Sequence, residues 1–460
     1  MGVHLVVLIH GLYGSPNNLA VIHEELVKAA DADVCASHNI ETVVHVCKSF
    51  TGSHTWDGID VNAWKASQEV DEVIERLEGE GREVERFSVF GYSLGGLVAR
   101  YLVGLLHARS PSFFDHHMPS SFSTAATPHL GVLKYQTTSN TLIHTIGRRL
   151  FSRSGQQLYC LDKDWEGRCL LEVLADPDHI FLHAVKMFPR VNILANGCHD
   201  LTVPYPTASF SLSDPFEAFE ATGMQVDVDE NHIVRSWHHP EQPLTATVLK
   251  EDGTVRRRPR FPPFLFLPYP FTYLLFLLLP LILPLWLCFV SCVLIIHTIQ
   301  ARRRHRAHTL HLASHPGADS ATTPLLGATV SHQRLQALKT SLSSNSIDSD
   351  RPRSEYSEQS TPSGTSTPRM VDMDVPGDIP PRAGQTALLL TPAQKRMSKN
   401  MEAEWQHANR IIAWYPWAFN SHALLVARDV RRFKWHEEGR GIMRLLAKNV
   451  VESAVSDPAL

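Results

Sequence analysis

The sequence predicts an α/β fold, a mostly parallel sheet with helices on both faces, interrupted by a membrane-anchoring apolar segment and a disordered insertion. Three observations predict it. Over residues 1–210, short apolar runs alternate with amphipathic helical stretches. The runs are continuously apolar, as in strands covered on both faces. From Phe261 to Ile299 no charged residue occurs, His297 aside, and residues 312–400 are then rich in Ser, Thr, Pro and Gly.

The elements follow in order. HLVVLIHG reads as a strand, SPNNLAVIHEELVKAA as a helix with Ser15 as N-cap, and ETVVHVCKS as a strand. VNAWKASQEVDEVIERLEGEG is an amphipathic helix ending at glycine; FSVFGYS, SFSTAATPHLG and RVNILANG read as three more strands. Residues 1–210 make the main part of the domain, and 211–260 read as a polar linker closing on Arg256, Arg257, Arg258 and Arg260. Residues 261–299 form the apolar segment. Residues 300–402 read as a basic cluster (Arg302, Arg303, Arg304, Arg306) and then a disordered insertion, whose SEYSEQSTPSGTSTP stretch suits kinases. Order is expected again over 403–460, where NRIIAWYP supplies a strand and EGRGIMRLLAKNVVESAV a helix that complete the domain.

Composition narrows the class. A length of 460 residues allows two or three domains, and a net charge of −4 suggests no nucleic-acid partner. The N-terminus has no secretory signal pattern, and Val6 stands where a myristoylation signal wants Ser or Thr. Seven cysteines (Cys35, Cys47, Cys160, Cys169, Cys198, Cys288, Cys292) lack paired spacing, which suits reduced thiols facing the cytosol rather than disulfides or a zinc site.

The stretch FSVFGYSLGGLVARY carries the chemistry. An apolar strand runs into Gly91-Tyr92-Ser93-Leu94-Gly95, and a helical pattern (Leu97, Val98, Tyr101, Leu102, Leu105) starts at once. A sharp strand-to-helix turn holds its corner residue strained and exposed, and forces small residues two positions either side. That is the nucleophile elbow of the α/β-hydrolase fold. An ordinary glycine-rich turn is the plainer alternative. The fold delivers Ser, then Asp or Glu, then His, each on a loop after a later strand. Asp200 sits four residues past RVNILANG, whereas Asp162, Asp164 and Asp176 precede that strand. Among 26 histidines, His199 adjoins the acid, His238 and His239 lie in the linker, and His305 and His308 border the basic cluster. His422 follows the last strand, in WAFNSH, where the topology needs the base; His436 is the reserve. The oxyanion hole takes backbone N–H groups of Leu94 and, from the turn IHGLYGSPNNL, of Leu12; Gly11 lets that backbone approach, and His10 braces the loop.

Together these stretches, with TWDGIDV, LFSRSGQQLY, ANGCHDLTVPYPTA and NSHALLVARD, resemble the Rog-type lipases, eukaryotic serine esterases of the α/β-hydrolase fold. Within that family the chain looks most like the fungal lipid-droplet phospholipases. The resemblance maps the serine to Ser93, the acid to Asp200 and the histidine to His422. It implies hydrolysis of acyl esters in glycerophospholipids or acylglycerols, with no cofactor and no metal. The acid and histidine stand 222 residues apart, further than the compact fold needs.

The apolar segment is about 39 residues long, and one spanning helix needs about 20. It carries Pro280 and Pro284 near its middle and basic clusters on both sides. Ser93 and Asp200 precede it and His422 follows it, so a triad requires the chain to enter and leave on one face. The expectation is a hairpin or other monotopic anchor in a membrane or lipid-droplet monolayer, facing the cytosol, with Cys288 and Cys292 as buried apolar thiols rather than acylation sites. Three readings compete with the anchored lipase: an acyltransferase using the same triad, a catalytically silent anchored scaffold, and a peptidase or thioesterase on the same fold.

Overall fold

The computed structural model describes residues 2–31, 40–135, 152–238 (164, 166 and 218 apart), 271–314 and 388–455. Its strands are β1 (Gly2–Ile9), β2 (Ile40–Val46), β3 (Val84–Tyr92), β4 (Met118–Ala125), β5 (Lys134–Tyr135), β6 (Arg190–Asn196), β7 (Gln225–Val228), β8 (Val234–His238), β9 (Leu388–Leu389) and β10 (Asn409–Ala413). Six form one sheet in the order β10-β6-β4-β3-β1-β2, and every neighbouring pair is parallel. The α/β reading of the sequence holds.

Burial explains the strand composition. Every residue of β1 is buried, because helices cover both faces. One face takes α2 (Ile59–Gly79), α3 (Leu94–His107) and the helices Ile180–Lys186 and Pro392–Glu404. The other takes α1 (Ala20–Asp31) and the C-terminal helix Arg440–Ser453. Fully burying a Leu, Val, Ile or Met is worth roughly 1.5–3 kcal/mol. Ile442, Met443, Leu446, Val450 and Val451 thus hold the C-terminal helix firmly against the sheet.

β1 is flanked by β2 on one side and β3 on the other, so the strand order reverses there. Open parallel sheets bind ligands at the carboxyl ends of the strands beside such a reversal. The loop after β1 and the elbow after β3 meet at that crevice.

Four boundaries differ from the sequence reading. Part of 211–260 is not a linker: β7 and β8 pair as an antiparallel hairpin, and Phe216, Met224 and Val234 are buried in a third apolar cluster with Trp414. Charge in that region hid its apolar alternation. Order resumes before 403, because Thr391 caps the helix Pro392–Glu404 by accepting from Gln394 N–H. That helix buries Gln394, Met397, Ser398 and Met401. The signal, Thr-Pro-x-Gln, is a capping box with Pro at N1, and it stood in the sequence. The apolar helix runs Phe271–Ser314, so order extends past 299 into the basic cluster. It is also continuous through Pro280 and Pro284, with no hairpin turn there. A proline removes one i→i−4 bond and bends a helix, but an otherwise unbroken apolar run carries it through. The SEYSEQSTPSGTSTP stretch with its expected kinase sites, Cys35, Asp164 and His239 lie outside the described residues.

Glu69 of α2 ties the end of β2 to the layer beneath. Its carboxylate accepts from Lys48 N–H (2.9 Å), Ser49 N–H (2.9 Å) and His45 Nε2 (2.8 Å). Burial pushes the carboxyl up, but these donors outweigh it and hold the pKa at about 2. The resulting stability, on the order of 3 kcal/mol, is present above the ordinary carboxyl pKa and is lost as pH falls toward the folded one. Thermal melts from pH 6 to pH 2 should therefore show Glu69→Gln destabilised at pH 6, with the gap to the parent protein closing below about pH 4.

Candidate active site

The geometry at Ser93 follows from β3 ending against α3. Ser93 is the first residue past the strand and has φ 56°, ψ −126°, a conformation that costs a non-glycine residue of order 1–3 kcal/mol. The close approach needs glycine on both sides. A Cβ on Gly91 would stand 2.4 Å from Gly96 Cα, and one on Gly95 would stand 2.3 Å from Ile9 O. Gly11, in the loop after β1, is pressed against the same serine: a Cβ there would lie 2.8 Å from Ser93 Cβ.

The structure brings Ser93, His422 and Asp200 together. His422 Nε2 is 3.2 Å from Ser93 Oγ, and His422 Nδ1 is 3.0 Å from Asp200 Oδ2. All three residues are buried. The Asp200 side chain is 1% exposed. Its Oδ2 also accepts from Asn196 Nδ2 (2.8 Å), and its Oδ1 accepts from the N–H groups of Thr202 (3.0 Å) and Val203 (2.7 Å). A carboxylate with these donors is fixed and kept as an acceptor, which holds a facing imidazole with Nδ1 protonated and Nε2 free to take a proton. The arrangement can move the Ser93 proton to His422 and expose an alkoxide nucleophile.

Several residues that the motif reading did not single out set this geometry. Tyr92 lays its ring against His422 (5.1 Å between centroids), and its hydroxyl donates to His422 O (3.1 Å). Asn420 Oδ1 accepts from both His422 N–H and Leu201 N–H (3.2 Å each), tying the histidine loop to the acid loop. Ser421 repeats the tie: Oγ donates to Cys198 O (2.7 Å) and N–H to His199 O (3.0 Å). Asn420 and Ser421 directly precede the histidine in WAFNSH, so the signal was present, but only the fold shows what it joins.

The other candidates have their own partners. His10 is buried, stacks on Phe50 and has a pKa lowered by burial, as a bracing residue would. His199 faces Glu220 (3.4 Å) and packs on Phe219. His238 pairs with Gln225, and His305 and His308 lie on the last turns of the apolar helix. His436 accepts from Asp429 N–H (3.2 Å) and packs on Trp435; burial lowers its pKa to about 4. Asp162 accepts from Leu170 N–H, and Asp176 pairs with Arg168. Leu94 opens α3, whose first N–H groups have no partner within the helix. Leu12 follows Gly11 in a loop held by Gly14 N–H to Gly11 O (3.1 Å) and Tyr13 N–H to Thr55 Oγ1 (2.8 Å).

Among the described residues, one cluster elsewhere has metal-ligating types. His45, Cys47 and Glu69 bring one ligand atom each within 4.8 Å of one another. The Glu69 oxygens are committed to Lys48, Ser49 and His45, and burial pushes the Cys47 thiol up, away from the thiolate a metal needs. The chemistry of the set is that of a structural tie.

Residues 1–213 match the family described as "Putative serine esterase (DUF676)". That stretch contains Ser93 and Asp200 and ends well before His422. "Putative lipase C4A8.10" of Schizosaccharomyces pombe is 30% identical over 268 residues, covering 55% of this chain and 31% of the relative. "Putative lipase ROG1" of Saccharomyces cerevisiae is 28% identical over 215 residues, covering 46% of this chain and 29% of the relative. The chain thus spans about 30% of the length of these curated relatives. The resemblance to the Rog-type lipases holds at the level of the family. Among solved structures, the "putative cell surface hydrolase from Lactobacillus plantarum WCFS1" aligns with a TM-score of 0.25 and 16% identity, over 45% of this chain and 75% of that one.

Asn420→Ala removes the shared acceptor between the two loops. A misplaced base is felt mainly in the chemical step. Ester hydrolysis by this variant should show kcat reduced about tenfold with KM little changed, read from steady-state kinetics on a soluble ester. A loss confined to KM would contradict a positioning role.

Proposed function

We propose that this protein is a membrane- or droplet-anchored serine hydrolase that cleaves acyl esters of glycerophospholipids or acylglycerols. The observation that carries the reading is the hydrogen-bonded chain Ser93–His422–Asp200 on a strained elbow. In the proposed reaction His422 Nε2 takes the proton from Ser93 Oγ as the oxygen attacks the ester carbonyl. Backbone N–H groups of Leu94 and Leu12 stabilise the developing oxyanion. The protonated imidazole gives its proton to the departing alcohol. His422 then deprotonates a water that releases the fatty acid from Ser93. Asp200 holds the imidazole throughout by accepting from Nδ1.

The apolar helix supports a lipid substrate. Leu277–Arg304 is long and apolar enough to cross a membrane, with mean hydropathy 2.6. Its Leu277, Leu281, Leu285 and Phe289 are exposed rather than packed on the domain. The 23 residues from Leu277 to Ile299 run about 34 Å as a helix, an exposed apolar length that calls for a lipid phase. His238, before this segment, and Arg304, at its end, both belong to or touch the domain. Attachment of the chain to the domain at both of these points supports a monotopic anchor, entering and leaving the lipid on one side, as suits a droplet monolayer or the endoplasmic reticulum, facing the cytosol. An anchor of this kind keeps the enzyme in the phase where a water-insoluble ester resides.

The test is fatty-acid release from a panel of phospholipids and acylglycerols by the parent protein, Ser93→Ala and His422→Ala. Only the parent protein should release fatty acid, and each variant should lose at least about a thousandfold in kcat. Undiminished release by His422→Ala would remove the triad. Equal inertness of all three on every lipid would favour the scaffold.

A further inference from the structure

The apolar helix does not leave the domain at a random point. Arg304, at the end of its charge-poor stretch, donates through Nε to Asp57 Oδ1 (2.9 Å), and its Nη2 reaches the same oxygen (2.8 Å) and Ser53 O (3.1 Å). The Asp57 side chain is 1% exposed and also receives Lys65 Nζ (2.8 Å). Two turns back along the helix, the His297 ring lies 5.5 Å from Trp56 and 6.2 Å from Tyr13. Ala301, between them, is buried.

What this patch touches matters more than its size. Tyr13 directly follows Leu12 in the loop after β1, and Gly11 of that loop presses on Ser93. Tyr13 N–H donates to Thr55 Oγ1, and Thr55 belongs to the 3-10 turn Gly52–Trp56 that also receives Arg304. The helix is thus fastened to the turn that braces the proposed oxyanion loop. Tyr13 itself is 61% exposed, and so, at 58%, is Leu201, the neighbour of Asp200. Two large apolar side chains therefore stand beside the site, and one of them, Tyr13, lies against His297 of a helix whose own apolar residues are bare.

Charge fixes the depth. No Asp, Glu, Lys or Arg occurs from Phe261 to Ile299, and Arg302, Arg303 and Arg304 follow. Basic residues flanking an inserted helix sit at the level of the lipid headgroups. Arg304 binds the domain at that level, so the domain is held there too.

We propose that Arg304 on Asp57 and His297 on Tyr13 and Trp56 form a latch that seats the catalytic mouth on the lipid leaflet, its oxyanion loop level with the headgroups and the ester carbonyls beneath them. Arg304 and His297 are positioning residues for delivery of the lipid, and Tyr13 and Leu201 form the rim that meets it. The inference rests on the anchored-hydrolase reading above and adds where the lipid enters and what sets the angle.

The test uses the full chain, vesicles of phosphatidylcholine with phosphatidylserine, and two esters: the vesicle phospholipid and soluble p-nitrophenyl butyrate. Flotation reports anchoring, and the ratio of the lipid rate to the soluble-ester rate reports delivery. Arg304→Ala and His297→Ala should float as the parent protein does, with that ratio reduced about tenfold. Arg304→Lys, which keeps one charge on Asp57, should recover most of it. An unchanged ratio in both alanine variants, or equal loss on both esters with no recovery by lysine, overturns the latch while leaving the anchor intact. A parent protein that does not float overturns the anchor, and the latch with it.

Discussion

The hydrogen bond between His422 Nδ1 and Asp200 Oδ2, 3.0 Å long, joins residues 222 positions apart. Everything distinctive about this molecule is arranged around that closure. A wholly flexible loop of such length costs about 5 kcal/mol in chain entropy to close. One charge-assisted hydrogen bond, at about 1.5–3 kcal/mol, does not offset it. The closure is carried instead by packing: β10 pairs with β6, and the C-terminal helix buries an apolar face on the sheet beside α1. Arg440 of that helix adds a bridge to the buried Glu25 of α1 (2.7 Å). The histidine is delivered because the last strand and helix are bound by the same sheet that presents the serine.

Closure by packing is also why a long insertion is tolerated between Asp200 and His422. Loop-closure cost rises only with the logarithm of length. The insertion leaves after the hairpin β7–β8 and returns at β9, which pairs with β5 at the edge of the domain. The described part of what lies between is the apolar helix, itself fastened to the turn that holds the loop after β1. The site's two halves and its proposed lipid attachment are therefore parts of one packed unit.

Much of this was legible in the residues. The elbow was, because glycine at 91 and 95 is demanded by backbone approaches that no side chain fits. The parallel sheet was, because β1 is buried on both faces and reads as a continuous apolar run. Asp200 and His422 were legible only through chain order and loop position, since an aspartate and a histidine carry no local signature. The hairpin β7–β8 and the capped helix Pro392–Glu404 were not read, the first because charge masked its alternation, the second because a short capping box stands beside a polar tract. The continuity of the helix through Pro280 and Pro284 lay beyond local rules: proline weakens a helix at one bond, and the surrounding sequence decides whether it ends. The ties made by Tyr92, Asn420 and Ser421 are tertiary, and no pattern of spacing announces them.

In the proposed mechanism Ser93 is made nucleophilic by a histidine that arrives from beyond the insertion. The most direct measurement is covalent labelling by a fluorophosphonate, followed by peptide mass spectrometry. One adduct is expected, on Ser93, forming rapidly in the parent protein and lost in His422→Ala under the same exposure. Labelling at another serine, or labelling of Ser93 at an undiminished rate without His422, would contradict it.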